Sequence, residues 1–275
     1  MPGLDTLISH RFRGFAPYEN TIRGLNAALD FGVLNLEFDI RVAKCGTPMI
    51  YHDEYAKTAD GSKPHIKDIM AGEFKALGGT FAHIPTADDL FAAAAKHTNK
   101  SARFLIDIKD AGFEEEILSL ARANSLAGRI VWVSWLPDVL YRLHDIDPKT
   151  PLCLSHWCKR PGQVTIAKHK IYAAKDSIIS RDKPGYTHGK RMGWYVDGPL
   201  RGELRDLIKK TGGGVCVPQN MISGELVKDY HADGIKVSTF SYTHWNKINA
   251  HKDRFNIDTY FIDNKDVFDK ISDNL

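Results

Sequence analysis

Residues 4–42 read LDTLISHRFRGFAPYENTIRGLNAALDFGVLNLEFDIRV, and their pattern decides the fold. The run Leu4 to Ser9 is short and mostly apolar, as a strand is. From Asn20 to Phe31, residues Ile22, Leu25, Ala28 and Leu29 recur at helical spacing, and Leu34 to Val42 returns to a strand pattern. Asn20 or Glu19 can supply the helix N-terminus, and Gly32 stands just past its end, where a left-handed residue commonly stops a helix. This β–α–β opening predicts parallel strands. The alternation continues, with strands expected at Phe104 to Ile108, Ile130 to Trp135, Leu152 to Ser155, Val215 to Val217, Lys236 to Phe240 and Tyr260 to Ile262. Helices are expected at Thr86 to His97, Glu114 to Asn124, Pro137 to Asp145, Pro199 to Lys210, Gly224 to Ala232 and Trp245 to Lys252. Eight strands alternating with helices favour an α/β fold of the TIM (β/α)8 barrel type, one domain spanning residues 1–275.

Two stretches break the alternation and are expected to be loop-borne inserts, a shorter one at about 54–85 and a longer one at about 156–198. The second carries Lys159, Arg160, Lys168, Lys170, Lys175, Arg181, Lys183, Lys190 and Arg191 against Asp176, Asp182 and Asp197. Such an excess reads either as a solvated face or as a lid for an anionic substrate, because barrel active sites are made by the loops that follow the strands.

Composition narrows the class. At 43% hydrophobic and 26% charged residues the chain has an ordinary globular balance, with apolar residues enough for a sizeable core. A net charge of +3 is too small and too dispersed for a nucleic-acid surface but compatible with a small anionic substrate. No stretch is long and apolar enough to span a bilayer, and the first residues lack a secretory pattern, so no membrane insertion is expected and a cytoplasmic enzyme is the simplest reading. Cys45, Cys153, Cys158 and Cys216 form no Cys-x-x-Cys pair and read as ordinary thiols.

In Leu36-Glu37-Phe38-Asp39-Ile40 the two acids are two positions apart, so on a strand they share one side. Two acids inside a barrel are costly unless a cation or hydrogen-bond donors compensate, which suggests a hard divalent ion; a solvated acidic edge would give the same spacing. His10 follows the first strand and His52 follows the apolar run Met49-Ile50-Tyr51, so each stands where a strand gives way to a loop. Histidines at such ends can donate to a leaving oxygen or accept a proton near neutral pH. Arg11 offers a planar fork for phosphate oxygens. Asp107 and Lys109, again two apart, would enter the pocket together, as metal ligand and cation or as a plain same-strand ion pair.

With those residues in hand, the chain resembles the glycerophosphodiester phosphodiesterase family. The resemblance rests on His10-Arg11, Glu19-Asn20-Thr21, Glu37-x-Asp39 and Gly46-Thr47-Pro48-Met49-Ile50-Tyr51-His52-Asp53-Glu54, then more weakly on Ile84-Pro85-Thr86. Ile106-Asp107-Ile108-Lys109 and Tyr260-Phe261-Ile262-Asp263 echo it later. It implies a TIM barrel with one divalent cation, Mg2+ or Ca2+ with Mn2+ as a third option, on Glu37, Asp39 and Asp107. It also implies His10 and His52 as acid and base, Arg11 and Lys109 steadying the phosphate, and Glu19 and Asn20 lining the pocket or orienting the first loop. The chain departs from the family at Phe12, where glycine is usual, in an extra residue within Pro17-Tyr18-Glu19, at Asp107, where glutamate is typical, and in Val237-Ser238-Thr239-Phe240-Ser241-Tyr242.

The expected reaction is metal-dependent hydrolysis of a glycerophosphodiester to sn-glycerol 3-phosphate and an alcohol. The alternatives are a specialised sugar phosphodiester, a lysophospholipid, which would need an apolar groove, or a non-catalytic binder of phosphate ligands. A zinc amidohydrolase would need His-x-His on the first strand, where this chain reads His10-Arg11-Phe12.

Overall fold

A computed structural model describes residues 3–158, 194–196 and 198–272. Its strands are β1 (Leu7–His10), β2 (Asn35–Val42), β3 (Pro48–Ile50), β4 (Arg103–Ile108), β5 (Ile130–Ser134), β6 (Leu152–Cys158), β7 (Trp194–Val196), β8 (Gly214–Pro218), β9 (Lys236–Tyr242) and β10 (Thr259–Ile262). Eight of them, β1, β2, β4, β5, β6, β8, β9 and β10, run parallel in that order, and β10 pairs back onto β1, so the sheet closes. This is the expected TIM barrel. The other two stand outside the ring: β3 returns antiparallel along β2, and β7 lies parallel to β6.

Alternation along each strand sorts its side chains. On β2, Leu36, Phe38 and Ile40 join the large core between barrel and helices, while Glu37 and Asp39 turn to the inner side. The floor inside the barrel is apolar: Ile8, Leu105, Val133, Cys153, Cys216 and Phe261, one from each of six strands. A core side chain of this kind, fully buried, stabilises by roughly 1.5–3 kcal/mol.

The helices are α1 (Ile22–Asp30), α2 (Ala87–Lys96), α3 (Glu114–Ala123), α4 (Pro137–Ile146), α5 (Glu203–Lys210), α6 (Gly224–Ala232), α7 (Trp245–Phe255) and α8 (Asp266–Ser272). The cap of α1 is Thr21, whose hydroxyl accepts from the Gly24 amide at 3.1 Å, and not Asn20 or Glu19. Asn20 has left-handed backbone, φ 55°, which directs its side chain to the barrel interior instead. Helix α5 starts at Glu203 rather than Pro199, because Gly202 holds φ 73° and breaks any earlier turn.

Residues 54–85, expected as an insert, carry three 3-10 helices, Ile66–Asp68, Ala71–Leu77 and Gly79–His83. Ala56, Ile66, Phe74, Phe81 and Ile84 form a small core of their own that packs on Met49 of β3. The insert also reaches the loop after β1, where Tyr18 stacks on His83 with ring centroids 4.8 Å apart. Of the second expected insert, residues 159–193 and Asp197 lie outside the described residues, and with them the nine basic residues and the lid reading. All four cysteines are free, with Cys45 exposed and the others buried. Among the described residues no helix is long and apolar enough to cross a membrane.

Candidate active site

The inner face above the apolar floor is polar on one side. There β2 supplies Glu37 and Asp39, β4 supplies Asp107, and Lys109 follows β4 immediately. All four are buried, and oxygens of Glu37, Asp39 and Asp107 lie within 4.8 Å of one another. The Lys109 ammonium sits 2.9 Å from Asp39 Oδ1 and also bonds Asp107. Arg11 Nε lies 3.1 Å from Asp39 Oδ2, and the Asn20 amide donates to the same oxygen at 3.0 Å. The same-strand pair of Asp107 and Lys109 therefore exists, but inside a buried cluster rather than on the surface.

The charges do not balance within the cluster. Burial opposes the ionised form of Asp39, yet Lys109 and Arg11 outweigh it and hold this carboxyl well below its usual range. Glu37 goes the other way: burial, reinforced by Asp39, pushes it well above its usual range. Its single ion-pair contact among the described residues is the His10 Nε2 atom, 3.8 Å away. Glu37 Oε2 and Asp107 Oδ1 are buried with no hydrogen-bond partner. Three carboxylates converging within 4.8 Å, two of them with an oxygen that has no hydrogen-bond partner and one without a lysine or arginine, fit a hard cation held by oxygen ligands.

Two histidines flank the acids, each held by its own carboxylate. His10 ends β1, and its Nδ1 meets Asp263 Oδ1 at 2.6 Å. Asp263 also accepts from the Ser241 hydroxyl at 2.6 Å and pairs with Arg13 at 3.0 Å. His52 Nδ1 meets Asp53 at 2.7 Å, and Lys57 lies 2.8 Å from the other Asp53 oxygen. With Nδ1 engaged in both rings, Nε2 is the atom left to exchange a proton with a ligand. Burial lowers the pKa of both rings against the opposing pull of Asp263 on His10 and of Asp39 on His52. His10 also depresses Asp263 and His52 depresses Asp53, so both partners stay ionised.

His52 arrives by a route the sequence did not suggest. It follows β3, which is not a barrel strand but the antiparallel return of β2, so the hairpin folds it back over the mouth instead of a barrel strand delivering it. Arg41 of β2 secures that hairpin by donating to the His52 carbonyl at 3.1 Å. Glu19 bonds Arg13 at 2.5 Å and Arg11 at 3.3 Å, and so orients the loop after β1. That loop turns through two left-handed non-glycine residues, Arg11 at φ 57° and Phe12 at φ 59°. Such a conformation costs about 1–2 kcal/mol per residue, and Phe12, where glycine was expected, offsets it by burying its ring completely, 5.9 Å from Phe38.

Asp263 was not among the expected site residues. Its signal was present, since Asp263 is two residues beyond Phe261 and so on the same inner side of β10, but only closure of the barrel brings it to His10, 253 residues away in sequence.

The chain is similar to known proteins over most of its length. Residues 8–267 match the model of the glycerophosphoryl diester phosphodiesterase family. The chain is 20% identical over 270 residues to glycerophosphodiester phosphodiesterase 1 of Mus musculus, covering 89% of this chain and 74% of that one. In fold it is similar to a solved Silicibacter pomeroyi protein, with TM-score 0.72 and 17% identity over 100% of this chain and 95% of that one. It is also similar to an Oleispira antarctica phosphodiesterase solved with the product sn-glycerol-3-phosphate, with TM-score 0.66 and 18% identity over 98% and 96%. The chain thus belongs to the glycerophosphoryl diester phosphodiesterase family and is a phosphoric diester hydrolase.

Proposed function

We propose that this chain hydrolyses glycerophosphodiesters to sn-glycerol 3-phosphate and an alcohol, with a divalent cation on Glu37, Asp39 and Asp107 and with His10 and His52 moving the protons. The observation that carries the reading is the convergence of three buried carboxylates between two histidines that each have Nδ1 tied to an acid. The names of the mouse relative and the product held by the Oleispira antarctica relative support the substrate class.

Glu37, Asp39 and Asp107 would hold a hard ion, Mg2+, Ca2+ or Mn2+, which when bound would supply charge withdrawal from a phosphate oxygen. Arg11 and Lys109 supply fixed positive charge beside the acids, worth more in a buried pocket than in water. Asp263 and Asp53 engage Nδ1 of the two imidazoles and leave Nε2 to the substrate, where the neutral ring accepts the proton of the attacking hydroxyl and the other, protonated on both nitrogens, gives its Nε2 proton to the leaving oxygen. The attacking hydroxyl is either the one adjacent to the phosphate on glycerol, expelling the alcohol to give a cyclic phosphate that water then opens to the monoester, or water itself, giving the monoester directly.

His10→Ala and His52→Ala, each assayed on glycerophosphocholine with metal present, test the assignment. Each is expected to lose about 10²–10⁴-fold in kcat. Near-full activity in both variants would remove the acid–base pair from the mechanism.

A further inference from the structure

Because a hairpin and not a barrel strand brings His52 to the acids, its position depends on what fixes that hairpin to the barrel. The β2–β3 ladder ends at Ile40 and Ile50, two residues before His52. Beyond it Tyr51 packs on the small core of the insert, its ring 5.5 Å from Phe81. Asp53, which meets the His52 ring, and Lys57, which pairs with Asp53, belong to the same loop as His52, and Lys57 is exposed. That pair travels with the loop. It sets which ring nitrogen is engaged, but not where the ring stands.

Arg41 makes the connection to the barrel. It lies two residues beyond Asp39 on the same side of β2, and its side chain is only 3% exposed. Its Nε donates to the His52 carbonyl at 3.1 Å, while Nη1 donates to Asp110 Oδ1 at 2.7 Å. The other Asp110 oxygen accepts from the Val42 amide at 2.9 Å. One carboxylate thus holds the guanidinium of Arg41 and the backbone of the next residue. A planar fork held at one end has little freedom at the other. Asp110 in turn follows Lys109, whose amide donates to the Ile40 carbonyl at 3.0 Å and whose ammonium sits 2.9 Å from Asp39. The cation beside the acids and the clamp on His52 are therefore neighbours in the chain, both tied to β2.

We infer that Arg41 and Asp110 are positioning residues for the hydrolysis: their ion pair fixes the His52 carbonyl to β2 and so sets the His52 imidazole beside the acid cluster. This rests on the acid–base reading of His52 above. Buried as it is, Arg41 acts through His52 and not on the substrate, and Asp110 acts through Arg41.

The test is a mutant cycle on the full chain with Mg2+ or Ca2+ present and glycerophosphocholine as substrate. Asp110→Asn is compared in wild type, in His52→Ala and in Asp263→Asn. In wild type, Asp110→Asn should lower kcat about 10–100-fold with KM within about twofold, as displacement of a catalytic group does. Arg41→Lys, which keeps the charge but cannot bond both partners, should do the same. In His52→Ala the Asp110→Asn loss should vanish, because the group that Asp110 places is gone, whereas in Asp263→Asn, which acts on the other histidine, it should persist. A loss that persists in His52→Ala, or that is missing from wild type or from Asp263→Asn, overturns the proposal, since a fold-wide defect does not distinguish the two histidines. Hydrogen exchange on the metal-free chain is the second measurement. If wild type does not turn over, or His52→Ala is itself nearly fully active, the hydrolytic reading fails on its own and exchange decides the clamp. In Arg41→Lys the amides of residues 43–53 should then exchange at least about tenfold faster than in wild type, while those around His10 keep their rates. Unchanged exchange over 43–53 overturns the clamp.

Discussion

Replacing Glu37 by glutamine keeps the shape of the acid cluster and removes the carboxylate that no lysine or arginine pairs among the described residues. In metal-stripped protein this carboxylate is a burden, because burial and the neighbouring Asp39 raise its pKa well above the ordinary value. A carboxyl whose folded pKa is raised contributes full stability below its unfolded pKa of about 4.3 and loses that contribution as pH rises through the folded pKa. Asp39, held low, has the opposite slope and loses its contribution as pH falls through its depressed pKa. At pH 8 the stripped Glu37→Gln variant should therefore be more stable than wild type by about 1–3 kcal/mol, the range for relieving poorly compensated buried charge. For a chain of this length that is a rise in Tm of roughly 2–6 °C. Metal should reverse the ranking. An ion at about 100 times its Kd adds about 2.7 kcal/mol to wild type, and the variant, with one of three carboxylates gone, gains little. The assay is thermal unfolding followed by circular dichroism, on EDTA-stripped protein and then with Mg2+ or Ca2+ in excess. A stripped variant less stable than wild type, or one that gains as much from metal, would refute the charge argument.

Asp263→Asn should lower kcat/KM about 10–100-fold, since a hydrogen bond to a charged partner contributes roughly 1.5–3 kcal/mol. It should also move to lower pH whichever limb of the pH–rate profile reports His10, because Asp263 raises the pKa of His10 against its burial; a loss of activity with both limbs unmoved would assign Asp263 a purely structural part. In wild type both histidines are lowered, so the acid limb should fall below about pH 6.5, and a limb above pH 7 would contradict the assignment. Phe12→Gly should destabilise the fold by about 2–4 kcal/mol in urea titration, the cavity costing ~3–5 kcal/mol against ~1 kcal/mol of relieved strain; equal or greater stability would show that the ring is not what holds this loop.

The barrel was legible because its strands are short apolar runs between amphipathic helices, and the parity of Glu37 and Asp39 already put both acids on one side of β2. What the sequence hid arises from contacts between distant strands. Asp263 is an ordinary residue after a strand until β10 closes against β1. The route of His52 depends on an antiparallel hairpin of three-residue β3, too short to announce itself by periodicity. Glu19 and Asn20 were expected to line the pocket or orient the first loop, and the partners they take, two arginines of that loop for Glu19 and Asp39 for Asn20, are set only by the fold.

The most direct test is product-resolved hydrolysis of glycerophosphocholine, followed by phosphorus NMR, with EDTA-stripped enzyme before and after addition of Mg2+, Ca2+ or Mn2+. The account predicts no turnover by the stripped enzyme and release of sn-glycerol 3-phosphate, with or without a transient cyclic phosphate, once one of these ions is restored. Equal turnover with and without metal, or release of choline phosphate instead, would contradict it.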